Sequence, residues 1–146
     1  MNPKYFVMAF FGIGLIVFVY NSIAPKEQDP HSVQTTAGKT GAPLAQVKVP
    51  ALSGIAAEGK IAFEANCATC HGVNAAGQDG VAPPLVHKIY EPNHHGDASF
   101  LLAAKNGVRA HHWRFGNMPP VKSVNEQEVD KIVAYVRALQ KANGIF

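Results

Sequence analysis

Cys67-Ala68-Thr69-Cys70-His71 is the stretch of this 146-residue chain on which the rest of the reading turns. Two thiols three positions apart, followed directly by an imidazole, form the attachment signature of a c-type haem. The spacing has a physical basis. Cysteines on one turn can add across the two vinyl groups on one edge of the porphyrin, and the adjacent histidine then turns beneath the ring to offer a nitrogen to the iron. The competing readings explain less. A disulfide gives His71 no role. A zinc site needs two further ligands at matching spacing, and the chain has no second Cys-x-x-Cys. A thioredoxin-like pair belongs to a strand-then-helix context, which the flanking residues do not offer. A covalent haem narrows the chemistry to electron transfer or to haem reactions close to it.

Length and charge set the frame. The two motif cysteines are the only two in the chain, so none is left for a disulfide framework, and the formal net charge is +3. From Ala51 onward six Lys and three Arg stand against eight Asp and Glu, which puts most of the excess in the N-terminal part. Two haem propionates would bring the remainder to neutral or slightly negative. Nucleic-acid binding has no electrostatic footprint here.

Three segments follow from composition: residues 1–24, 25–50 and 51–146. Tyr5 to Ile23 reads YFVMAFFGIGLIVFVYNSI, without a charged residue. As a helix its length spans most of a ~30 Å hydrocarbon core, with Tyr5 and Tyr20 near the two ends, where amphipathic rings favour the interface. The alternative is a cleaved signal peptide ending at Ser22-Ile23-Ala24. Pro25 directly after that site is poorly tolerated, and the apolar run exceeds a usual signal core. The reading favours an uncleaved transmembrane anchor. Lys4 on one side and Lys26, Lys39 and Lys48 on the other do not orient it by the positive-inside rule. Haem attachment does, because it takes place outside the bacterial inner membrane. That puts the N terminus in the cytoplasm and the haem domain in the periplasm. Residues 25–50 are poor in aromatics and rich in Pro, Gly, Thr, Gln and Lys, a composition that reads as a flexible linker. As a coil, its ~26 residues span about 30 Å on average.

The remaining residues read as an all-α domain. Ser53 is a candidate N-cap for a helix running into Cys67, with Ile55, Gly59, Ala62 and Phe63 on one face. Asn125-Glu126-Gln127-Glu128 predicts a capped start for a helix carrying Val129, Ile132, Val133, Val136 and Leu139, with Asn143-Gly144 as its stop. A shorter helix is predicted from Asp97 through Asn106, with Phe100, Leu101 and Ala104 inward and Gly107 at its end. No segment alternates as a strand does. About ninety-six residues make a marginal core on their own, and a buried porphyrin supplies the missing apolar surface.

On these residues the chain resembles the class I cytochrome c family over 51–146, which implies three to four helices around one covalent haem. The resemblance implies that Gly59 and Phe63 on the first helix meet Tyr135 on the last. It also matches Ala82-Pro83-Pro84-Leu85 to a Gly-Pro-x-Leu segment, so that the Pro83 carbonyl accepts a hydrogen bond from the axial His71 and Leu85 packs on the ring. Ala82 stands where the family has glycine. The sixth iron ligand comes in that family from a methionine before the last helix, and Gly116-Asn117-Met118-Pro119-Pro120 fits. Apart from the resemblance, Met118 is the only methionine outside the apolar N-terminal segment. His71 and Met118 are therefore the expected iron ligands, and a His/Met pair raises the reduction potential.

Six further histidines remain: His31, His87, His94, His95, His111 and His112. The pairs invite three readings: a second metal site, an axial ligand in place of Met118, or imidazoles around the haem rim. Trp113 and Arg114 are suitable donors to a propionate, with Arg109 and His112 as weaker candidates. Lys60, Lys88, Lys105 and Lys122 read either as a docking ring or as a solvated surface. No acid, base or nucleophile constellation points to catalysis, and a six-coordinate iron would be closed to substrate. The resemblance implies an electron carrier taking electrons from a cytochrome bc1 complex and passing them to a terminal oxidase or a photosynthetic reaction centre. Two alternatives stay open: a subunit held permanently in an oxidase or dehydrogenase, and a haem enzyme or gas sensor with an open iron position.

Overall fold

The computed structural model of the chain describes Leu15, Val19, Tyr20, Ser22 and residues 40–146. Most of the expected membrane segment and most of the expected linker lie outside the described residues. Among the described residues no helix is long and apolar enough to cross a membrane. The chain divides into two units, Met1–Pro30 and His31–Phe146, and the haem motif lies in the second.

The described residues of that unit form four α-helices, α1 (Gly54–Asn66), α2 (Ala68–His71), α3 (Asp97–Asn106) and α4 (Glu126–Ala142), with 3₁₀ turns at Val73–Ala75 and Lys88–Tyr90. Among the described residues β pairing is confined to two isolated bridges, Gln78 with Ala82 and Val108 with Met118. The all-α expectation holds for this unit. α4 starts on the predicted capping box: the Asn125 side chain accepts from the Glu128 N–H at 2.9 Å, and the Glu128 carboxylate accepts from the Asn125 N–H at 2.9 Å. Ser53 takes the extended conformation of an N-cap, but its side chain makes no capping hydrogen bond. α3 ends at Gly107, whose φ of +75° is left-handed backbone that glycine adopts without strain.

The core forms where α1 crosses α4. Gly59 is what allows the approach, because a Cβ there would lie 1.8 Å from the Lys131 carbonyl oxygen. Phe63 and Tyr135 meet with ring centroids 5.5 Å apart, and both are fully buried, as are Val136 and Leu139. The three residues predicted to mark this crossing do mark it. Burial pushes the Tyr135 phenol up to about 12, with the Glu64 carboxylate adding to the effect; its hydroxyl donates to Asn74 Oδ1 at 3.3 Å.

Packing begins before Ala51. The Gly41 N–H donates to Asp79 O and the Asp79 N–H to Ala42 O, both at 2.8 Å, while Leu44 and Ala45 donate to Ala76 O. Lys48 is pinned to Asn143 at the end of α4 in both directions, at 2.9 and 2.8 Å. Val47 and Leu52 pack against the core. Residues 41–50, read from composition as the end of a linker, are thus fastened to the domain by main-chain pairing with its loops.

Candidate functional site

α1 stops at Asn66, and the single turn of α2 carries Cys70 and His71. Gly72 follows with φ +74°, and a Cβ there would lie 2.5 Å from Gly77 O. The chain therefore folds straight back beneath the motif. Gln78, on the returning strand of loop, donates its amide to Thr69 O at 2.7 Å and Cys70 O at 3.1 Å. These bonds satisfy carbonyls at the end of a helix too short to satisfy its own. His71 Nδ1 donates to Pro83 O at 2.9 Å. Burial holds the His71 ring below its ordinary pKa, with the Pro83 hydrogen bond opposing. A neutral imidazole with its proton fixed on Nδ1 offers the Nε2 lone pair.

A cavity of about 440 Å³ opens beside this turn. Seven of the eight predicted site residues line it: Cys67, Cys70, His71, Pro83, Leu85, Trp113 and Met118. Arg114, the eighth, is exposed and is not among the lining residues. The loop turns Trp113 inward and leaves its neighbour outward, so the structure gives Arg114 no place at the cavity. Arg109 is likewise exposed. Both motif thiols are unpaired. In the thiol form that precedes haem attachment, burial, reinforced by Cys70, pushes Cys67 up to about 11.

Met118 is held by its main chain. Its N–H donates to Val108 O and its carbonyl accepts from the Val108 N–H, both at 2.9 Å. A Cβ on Gly107 would lie 2.5 Å from that carbonyl, so glycine lets the Met118 loop close onto the end of α3. The Ala110 N–H donates to Asn117 Oδ1 at 2.9 Å and braces the same loop.

Tyr90, Val108 and Phe115 also line the cavity and had no signal of their own in the sequence, while Phe100 and Ile132, expected only as inward-facing helix residues, line it as well. None of the α3 residues is fully buried: Phe100, Ala103 and Ala104 line the cavity, and Phe100 also packs against the core. Arg137 was also missed. It reaches from α4 to Tyr90 O at 2.7 Å and His95 O at 2.5 Å, and pairs with Asp97 at 2.8 Å. Aliphatic periodicity marks neither cavity-facing aromatics nor a charged residue that fastens loops.

The residues present fit a covalent haem. The wall is largely apolar, with two thiols, a neutral imidazole and a thioether on it. The Trp113 indole Nε1 is buried without a hydrogen-bonded acceptor, which suits a carboxylate-bearing ligand. That indole lies close enough to the Tyr90 hydroxyl to offset part of the effect of burial, which pushes Tyr90 up to about 12, yet it falls short of hydrogen-bond geometry.

Comparison with known proteins agrees with this site. The family model described as cytochrome c matches residues 56–140. The chain is 32% identical over 96 residues to cytochrome c-554(547) of Halothiobacillus neapolitanus, covering 60% of this chain and 100% of that protein. No solved structure matches it. The chain belongs to the cytochrome c family, and it is a haem electron carrier whose haem c is held covalently through Cys67 and Cys70.

Proposed function

We propose that this chain is a membrane-tethered periplasmic electron carrier whose iron is held by His71 and Met118. On this reading it takes electrons from a quinol-oxidising complex of the cytochrome bc1 type and delivers them to a terminal oxidase or a reaction centre. The observation that carries the reading is the meeting of Cys67, Cys70, His71 and Met118 on the wall of one apolar cavity. Bound there, haem c supplies a one-electron Fe(III)/Fe(II) couple. The chain's own part is to keep both ligands still and water away. Pro83 fixes the His71 ring through Nδ1, and Val108 fixes Met118 through two main-chain bonds. Neither ligand needs to move when the charge changes, which suits rapid exchange of electrons. Leu85, Phe100 and Ile132 supply apolar wall and lower the local dielectric around the site. Trp113 offers a buried N–H to a haem carboxylate.

Tethering rests on the uncharged segment Tyr5–Ile23, long enough for a single membrane helix. Membrane fractionation followed by size separation in mild detergent tests the whole reading. A tethered carrier stays with the membranes through high-salt washing and, once solubilised, runs alone as a small haem protein. Haem protein in the soluble periplasmic fraction refutes the tether. Stable migration with a large complex refutes the carrier and favours a resident subunit.

A further inference from the structure

We propose that His94, His95 and His112 form a binding site for a divalent transition-metal ion of the zinc or copper class, separate from the haem iron. One ring nitrogen from each of the three lies within 4.8 Å of the others. The His94 and His95 rings are stacked, with centroids 4.7 Å apart and planes 12° from parallel. His112 stands edge-on to both, at 5.2 and 5.3 Å. Three imidazoles and no carboxylate select borderline and softer divalent ions over calcium or magnesium. A tetrahedral zinc site with bonds of ~2.0–2.1 Å separates its nitrogens by about 3.3 Å. Closing the trio on an ion therefore takes an inward movement of roughly an ångström or more, which His94, exposed to solvent, has room to make. His111, with its ring 4.2 Å from that of His112, or a water completes the fourth position.

Preorganisation is the second observation. A metal-bound histidine usually gives its other ring N–H to a carbonyl or carboxylate, which fixes the tautomer and aims the lone pair. His95 does this already: its Nδ1 bonds Ile89 O at 2.6 Å, leaving Nε2 as the lone-pair nitrogen. Its main chain is fixed as well, because the His95 carbonyl accepts from Arg137 and its N–H donates to Glu91 O at 2.8 Å. The guanidinium charge of Arg137, unfavourable to a cation, is answered by Asp97 at 2.8 Å. An imidazole with its tautomer and main chain both fixed is built like a ligand rather than like a solvated surface side chain.

His95 and His112 also line the haem cavity, so haem carboxylates compete as the partners of these rings. The haem-loaded full chain separates the two. In equilibrium dialysis against zinc, with bound metal counted by elemental analysis, the proposal expects one zinc per chain. His94→Ala should weaken that binding at least about tenfold. His94 is exposed and outside the cavity lining, so the variant keeps its haem, which the visible spectrum verifies in the same sample. Absence of zinc binding at micromolar concentration overturns the proposal and assigns the rings to the haem. Equal zinc binding by parent and His94→Ala also overturns it. The outcome does not depend on whether the chain is a tethered carrier, because zinc content is read without electron transfer.

Discussion

Gly59→Ala adds a single methyl group at the point where α1 meets α4. Its Cβ would fall 1.8 Å from the Lys131 carbonyl oxygen, 2.5 Å from that carbonyl carbon and 3.1 Å from Tyr135 Cβ. The first two contacts are with main chain, which cannot rotate away. Side-chain carbons stay beyond 3.0 Å of such atoms, so the helices must part by at least about 1.2 Å. A gap of 0.5–1 Å already forfeits roughly a quarter to a half of the attraction between packed atoms. The residues that lose it are Phe63, Tyr135, Val136 and Leu139, all fully buried. Taken with ordinary costs of disturbing a core, the loss is roughly 3–5 kcal/mol. The better helix propensity of alanine returns about 1 kcal/mol, leaving a net destabilisation of about 2–4 kcal/mol. Urea unfolding of the haem-loaded chain, followed by far-ultraviolet circular dichroism, measures it. Gly96→Ala is the comparison, since its Cβ meets only Pro92 O at an ordinary 3.7 Å, and it should stay within about 1 kcal/mol of the parent. A Gly59→Ala protein within about 0.5 kcal/mol of the parent would refute the close crossing and the packing built on it.

Asn125→Ala removes one half of the α4 capping box and should cost about 1 kcal/mol in the same urea assay, whereas Asn125→Gly should cost only a few tenths. Gln140→Leu should be worse. The Gln140 amide donates to Leu85 O at 2.8 Å and Tyr90 O at 3.0 Å, and its oxygen accepts from Arg137 at 2.6 Å. Removing it strands buried groups at a cost of about 2 kcal/mol, visible as an earlier urea midpoint. Acid should weaken the fold through His87. Burial lowers its pKa below the ordinary 6.5, so below that pH the unfolded chain takes up a proton that the folded chain refuses. Stability is therefore full above 6.5 and declines as the pH falls below it. Urea midpoints between about pH 7.5 and 5.5 should show this decline, and His87→Gln should flatten it.

What the sequence made legible was local or periodic. The α4 stripe and its Asn125 cap and the extent of α3 with its stop at Gly107 follow from short spacings, while the crossing at Gly59 was implied by the resemblance to class I cytochromes c. Six cavity-lining residues were reached through the haem motif, the Pro83 segment and the Met118 loop, and Trp113 through its indole N–H as a donor to a propionate. The misses share a different physics. Residues 41–50 bind through main-chain groups to Ala76, Asp79 and Asn143, and composition carries no record of such pairing. Arg114 was grouped with Trp113 by adjacency, but an irregular loop has no period to say which neighbour points inward. Gln78 and Arg137 act on carbonyls far along the chain, so their roles exist only once the fold has formed. The inward face of α3 was legible as apolar, but not that Phe100 and Ala104 on it line the cofactor cavity, because periodicity does not tell a cavity wall from a core.

The central claim is that Met118 completes the iron site begun by His71. The visible absorption spectrum of the oxidised, haem-loaded chain tests it most directly, through the weak thioether-to-iron charge-transfer band at its red end. The band should be present in the parent and lost in Met118→Ala, with the haem still covalently attached. A parent protein without the band, or a Met118→Ala protein that keeps it, would contradict the assignment.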